Sequence, residues 1–138
     1  MIIGVGVDVV HISRMKRWKN VAGLLERYFH PEELTAALAR GNDADLSLAA
    51  RFAAKEAFGK ATGRGLRGIV LKDIMVKNRH NGQPEIMVSG TALAAFTESG
   101  AGRIHLSLTH ERDNAIAMVV LETDPESGVK LCRGANEI

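Results

Sequence analysis

Three stretches of this 138-residue chain carry side chains that could do chemistry together. In GVGVDVV, residues 4–10, Asp8 follows Gly4 and Gly6 at alternate positions, so a strand there would present one carboxylate on a face otherwise free of side chains. In RFAAKEAFGKA, residues 51–61, Phe52, Glu56 and Lys60 recur every four residues and share one face of a helix. In HLSLTHE, residues 105–111, His105, Ser107 and Thr109 alternate, with His110 and Glu111 at the end of the run. Two carboxylates, one on a strand and one on a helix, are hard oxygen donors. They suit Mg²⁺, which is usually held by one or two carboxylates plus substrate phosphate and water. Lys60, one turn beyond Glu56, reaches a phosphate or a leaving group. Hydroxyls and a histidine in a row donate well to phosphate.

Each stretch also has a plainer reading. Glu56 and Lys60 could be a surface helix pair worth about 0.2–0.5 kcal/mol. Asp8 could cap the element that follows it, and residues 105–111 could be the solvent side of a strand with a polar hairpin tip.

Several other chemistries are excluded. Cys132 is the single cysteine, so there is no intrachain disulfide framework, and no Cys/His spacing forms a zinc site. GVGVDVV lacks the third glycine and the helix start of a dinucleotide fingerprint. The Gly63, Gly65, Gly68 turn lacks the Lys-Ser/Thr ending of a P-loop. Eighteen Lys and Arg against 16 Asp and Glu is too near neutral for a broad nucleic-acid footprint. Locally, Arg14, Lys16, Arg17 and Lys19 form a basic cluster directly after Asp8. No apolar run approaches the roughly 20 residues of a membrane span. The N-terminus is too short and lacks the charged start of a signal peptide. The chain is therefore expected to be soluble and cytoplasmic.

The elements that must position these residues follow from periodicity and punctuation. Residues 1–10 read as a strand, and Ser13 as the N-cap of a short basic helix through about Asn20. A helical turn around Leu24–Phe29 follows. His30-Pro31-Glu32-Glu33 opens a helix that Gly41 ends. The next helix is expected over about Leu46–Ala61, and a strand over Ile69–Lys77. Asn81-Gly82 turns that strand into a return strand over Glu85–Val88. Ser89 is expected to cap a helix through Glu98, and two final strands over 103–109 and 115–122 flank a turn at 110–114. Strand, helices, hairpin, helix, hairpin is an α+β order. With 46% hydrophobic but only 4% aromatic residues, the core is expected to be aliphatic. Residues 1–122 read as one domain, and 123–138 as a mobile tail.

Taken together, GVGVDVV, RFAAKEAFGKATG and IHLSLTHE, with NGQP before the return strand, resemble the holo-[acyl-carrier-protein] synthases over about residues 1–122. These are the small phosphopantetheinyl transferases. The resemblance implies their fold, an antiparallel or mixed sheet with helices packed on it and a central helix bearing a metal-ligand Glu. It implies transfer of the 4′-phosphopantetheine arm of coenzyme A to a serine of apo acyl carrier protein, in support of fatty acid biosynthesis. Asp8 and Glu56 would be the Mg²⁺ ligands, and Lys60 would bind the pyrophosphate or protonate the departing adenosine 3′,5′-bisphosphate. Gly63, Ser107, Thr109 and His110 would lie at coenzyme A. The base is left open among Glu56, His110 and water on the metal. Arg14, Lys16 and Arg17 would dock the acidic carrier protein. A homotrimer is implied, with the 105–111 strand serving a neighbour's site. His11 stands where the family often has Glu. Two rivals lack transfer activity: a coenzyme A- or nucleotide-binding module, and a trimeric scaffold that binds an acidic protein.

Overall fold

Two missing side chains decide how the long helix meets the sheet. The computed structural model describes residues 1–124. The expected tail lies outside the described residues except for Thr123 and Asp124, and Cys132 lies outside them too. Strand β1 (Ile2–His11) crosses α4 (Ala44–Thr62), the longest helix. A Cβ added at Gly4 would fall well inside contact with the Ala61 carbonyl, and one at Gly6 would do the same at Ala57. The bare face of β1 therefore lies directly on the helix backbone, and Asp8 and Val10 continue that face.

Between β1 and α4 the chain forms three short helices, α1 (Ser13–Lys19), α2 (Leu24–Tyr28) and α3 (Pro31–Leu38). After α4 come the hairpin β2 (Ile74–Asn78) and β3 (Pro84–Val88), helix α5 (Gly90–Glu98) and the hairpin β4 (Arg103–Glu111) and β5 (Asn114–Glu122). The architecture is α+β. One antiparallel sheet has the order β1-β5-β4, and β2-β3 form a second, two-stranded sheet. The core between α4 and the large sheet is aliphatic: Ala49, Ala53 and Ala57 meet Ala115, Ala117, Val119 and Leu121, all fully buried. No helix among the described residues is long and apolar enough to cross a membrane.

The apolar side of β1 turns outward. Val5, Val7 and Val9 are 55%, 54% and 54% exposed. They lie in rows with Val120, Met118 and Ile116 of β5 and with His105, Ser107 and Thr109 of β4. An antiparallel sheet with one open face normally shows polar residues there; this one shows a valine stripe.

Element details differ from the sequence reading in several places: α4 begins at Ala44, β4 runs on through His110 to Glu111 so that only residues 112–113 turn, and three further differences have a local reason. Ser13 is the first residue of α1 rather than its cap, and its Oγ lies 2.7 Å from Nδ1 of His11. The strand expected from Ile69 begins at Ile74, because residues 71–73 form a 3₁₀ turn. Asp73 of that turn caps α5 in place of the Ser89 side chain. Its Oδ2 accepts from the Thr91 N–H at 2.8 Å and the Thr91 hydroxyl at 2.6 Å.

Candidate active site

Asp8 faces α4 because it follows Gly4 and Gly6 on the inner side of β1. The helix answers with Lys60, whose Nζ donates to Oδ1 of Asp8 and to the Val7 carbonyl, both at 3.0 Å. Glu56 lies one turn earlier on the same face and has no hydrogen-bond or ion-pair partner among the described residues. Burial raises its pKa, and the Asp8 carboxylate raises it further, while Lys60 and Arg14 pull it down. Asp8, Glu56, Lys60 and Arg14 thus share one electrostatic neighbourhood. No group of three or more His, Cys, Asp or Glu side chains poised for a metal occurs among the described residues. The donor set is two carboxylates. That fits Mg²⁺, which needs few protein ligands when phosphate and water complete its shell, and does not fit a metal that needs a full protein cage.

Gly63 ends α4 in the left-handed conformation, φ 86°, with its N–H donating to the Lys60 carbonyl at 3.0 Å. Nothing lies within 4 Å of where a Cβ would stand at Gly63 or Gly65, so the backbone beyond Lys60 is open to a ligand.

Helix α1 borders the carboxylates. Arg14 stacks over Trp18, 6.0 Å from the ring centroid, and Lys19 pairs with Asp45 at 2.6 Å. Lys16 and Arg17 are exposed.

The histidine-bearing strand does not reach this cluster. Asp8 pairs with Ala117, and Ala117 with Leu108, so two strand spacings, about 10 Å, separate β1 from β4. Ser107 belongs to the outer face. Thr109, also in the outer-face row, and His110 line a separate cavity of about 160 Å³ with Arg40, Asp43, Arg51 and Val76. Arg51 is 5% exposed. Its Nη1 donates to the Val76 carbonyl at 2.7 Å, and its buried Nε has no partner. Arg40 and Arg51 escape the sequence reading. The available signal was a guanidinium in an alanine-rich helix, one turn ahead of Lys55.

Residues 4–119 match the family model of the 4′-phosphopantetheinyl transferase superfamily. The chain is 54% identical over 122 residues to the holo-[acyl-carrier-protein] synthase of Treponema denticola, spanning 88% of this chain and 99% of that protein. The crystal structure of holo-[acyl-carrier-protein] synthase from Neisseria meningitidis matches with a TM-score of 0.79 at 36% identity, covering 89% of this chain and 100% of that one. The Bacillus anthracis holo-(acyl-carrier-protein) synthase in complex with CoA (3′,5′-ADP) matches with a TM-score of 0.75 at 32% identity, covering 90% and 99%. The chain belongs to the holo-[acyl-carrier-protein] synthase family.

Proposed function

We propose that this protein transfers the 4′-phosphopantetheine group of coenzyme A to a serine of apo acyl carrier protein, with Mg²⁺, in the cytoplasm and in the service of fatty acid synthesis. The observation that carries the reading is the cluster of Asp8, Glu56 and Lys60. Family membership and the coenzyme A complex of the Bacillus anthracis relative support the substrate.

In this reading Asp8 and Glu56 hold Mg²⁺, which when bound supplies charge neutralisation at the pyrophosphate. Phosphoryl transfer asks for positioning and charge stabilisation more than for covalent catalysis. The serine oxygen forms a bond to the phosphorus next to the pantetheine arm. The bond to the bridging oxygen breaks, and adenosine 3′,5′-bisphosphate leaves with that electron pair. Lys60 swings from Asp8 to the departing phosphate, as an exposed four-carbon stem allows. The cavity with Arg40, Arg51 and His110 takes the anionic nucleotide end, which makes His110 a binder. Glu56 is then this chain's acceptor for the serine proton. Arg14, Lys16 and Arg17 dock the acidic carrier beside the carboxylates.

The carboxylate cluster and the cavity lie apart within one chain, and the valine stripe on the outer face of the sheet is open. Both features support a homotrimer in which the stripe is covered by another copy and one copy's carboxylates face the next copy's cavity. The direct test is incubation with coenzyme A, Mg²⁺ and an apo carrier protein, read by intact mass. A phosphopantetheine mass gain that chelation prevents is expected; no gain with metal present discards the reading.

A further inference from the structure

Three charged side chains are buried among the described residues: Glu33, Arg51 and Lys55. Burying charge is costly unless every charged atom finds a partner. Each of the three has a partner along β2 or in the turn just before it, although the buried Nε of Arg51 has none, and β2 has a strand neighbour, β3, on one side only. Oε2 of Glu33 accepts from the Val76 N–H at 3.0 Å. Arg51 donates to the Val76 carbonyl at 2.7 Å. Lys55 donates to the carbonyls of Ile74 and, at 2.9 Å, Leu71. Side chains thus complete the edge that no strand covers.

Glu33 links this edge to the rest of the fold. Its Oε1 accepts from Lys55 Nζ at 2.7 Å and from the His30 N–H at 3.0 Å, where it completes the capping box of α3. Lys55 has three acceptors and full burial, so it cannot serve the reaction. Arg51 is placed differently. Its one hydrogen bond among the described residues goes to the Val76 carbonyl, and the residue lines the cavity. Where Arg51 points depends on where Val76 sits, and Glu33 holds Val76 from the same side.

We infer that Glu33 is a positioning residue for the transfer: its carboxylate fixes the Val76 backbone, and the Val76 carbonyl aims Arg51 at the anionic nucleotide end of coenzyme A. The inference rests on the assignment of the cavity to that end. Glu33 itself touches no substrate.

The test compares Glu33→Gln, the double variant Glu33→Met/Lys55→Met and Arg51→Ala. It reads KM for coenzyme A, KM for the carrier, kcat, and calorimetric affinity for adenosine 3′,5′-bisphosphate. Glu33→Gln is expected to raise the coenzyme A KM about fivefold to tenfold and weaken bisphosphate binding alike, with kcat and carrier KM within about twofold. A merely structural role would lower kcat through the active fraction and leave KM alone. Should Glu33→Gln fail to fold, the double variant decides, read well below its unfolding midpoint, because removing both charges together leaves no unpaired charge in the core. It removes the Val76 acceptor and is expected to show the same raised KM, with a Tm below that of the wild type because the Val76 N–H and the Ile74 and Leu71 carbonyls lose their side-chain partners. Wild-type bisphosphate affinity in a folded Glu33 variant, with weakened binding in Arg51→Ala, overturns the positioning role and leaves the cavity assignment standing. Wild-type affinity in Arg51→Ala overturns both.

Discussion

The ammonium of Lys60 lies 3.0 Å from Oδ1 of Asp8, across the junction of the long helix and the first strand. The lysine side chain is 52% exposed and the aspartate side chain 19%. The carboxylate is held in place while its cationic partner is free to leave, an arrangement suited to a site where a metal and a phosphate arrive together. Exposed pairs of this kind contribute at most about 1 kcal/mol to stability, so the contact is better explained by chemistry than by folding. Asp8→Ala and Glu56→Ala are therefore expected to remove transfer while sparing the fold. Each should lower kcat/KM by about 10²–10³-fold, the scale of losing one preorganised electrostatic group. Initial rates titrated with Mg²⁺ on protein of unchanged circular dichroism check this; near wild-type activity in either variant would show that the carboxylates hold no metal.

The contact between β1 and α4 predicts a stability defect at Gly6. An added methyl would meet the Ala57 carbonyl, a backbone atom that cannot rotate aside. Gly6→Ala is expected to cost about 1–3 kcal/mol in denaturant unfolding, the range for overpacking a dense interior. Stability within about 0.5 kcal/mol of wild type would mean that strand and helix are not so closely apposed.

Asp8, Glu56 and Lys60 are legible in the sequence because two local rules place them. Alternation puts Asp8 on the glycine face of a strand, and four-residue spacing stacks Glu56 on Lys60. The cavity obeys no such rule. Arg51, Val76 and His110 come from three elements far apart in the chain, and only the tertiary fold brings them together. Lys55 is the sharpest case. It stands outside the four-residue pattern of Phe52, Glu56 and Lys60, and it is fully buried because Glu33 and the backbone carbonyls at residues 71 and 74 accept its protons. The alternation of β1 is equally legible, but which side faces outward is not. Valine normally marks the buried face; here the helix backbone claims the glycines and leaves the valines to solvent.

His110 lines the cavity with two arginines rather than facing the carboxylates. His110→Ala is expected to raise the KM for coenzyme A about tenfold with little change in kcat, the pattern of a lost binding contact. Steady-state kinetics at saturating carrier protein measure it. A large fall in kcat at saturating coenzyme A would instead make His110 the base.

The open valine stripe predicts dependence on other copies of the chain. Val7 pairs with Met118, and Met118 with Ser107, in the middle of the outer face. A carboxylate placed there would be desolvated in an assembly without a partner. Val7→Asp is expected to reduce the molar mass seen by light scattering to that of one chain, and to reduce transfer with it. An unchanged mass would mean that the stripe is not the interface.

The raised pKa of Glu56 predicts how the metal-free protein responds to pH. Burial is the larger cause and the Asp8 carboxylate the second. A carboxyl whose folded pKa lies above its unfolded value stabilises the fold fully below the unfolded pKa. That stabilisation is lost as pH rises through the folded pKa. Wild-type protein in chelator should therefore lose stability on this account from about pH 4 upward. Glu56→Gln cannot ionise and should escape the loss. Its Tm is expected to gain on the wild type as pH rises into the neutral range, while transfer is abolished. Thermal unfolding of both proteins in chelator across that range is the measurement, and parallel Tm profiles would show that Glu56 ionises without penalty, removing the electrostatic link to Asp8.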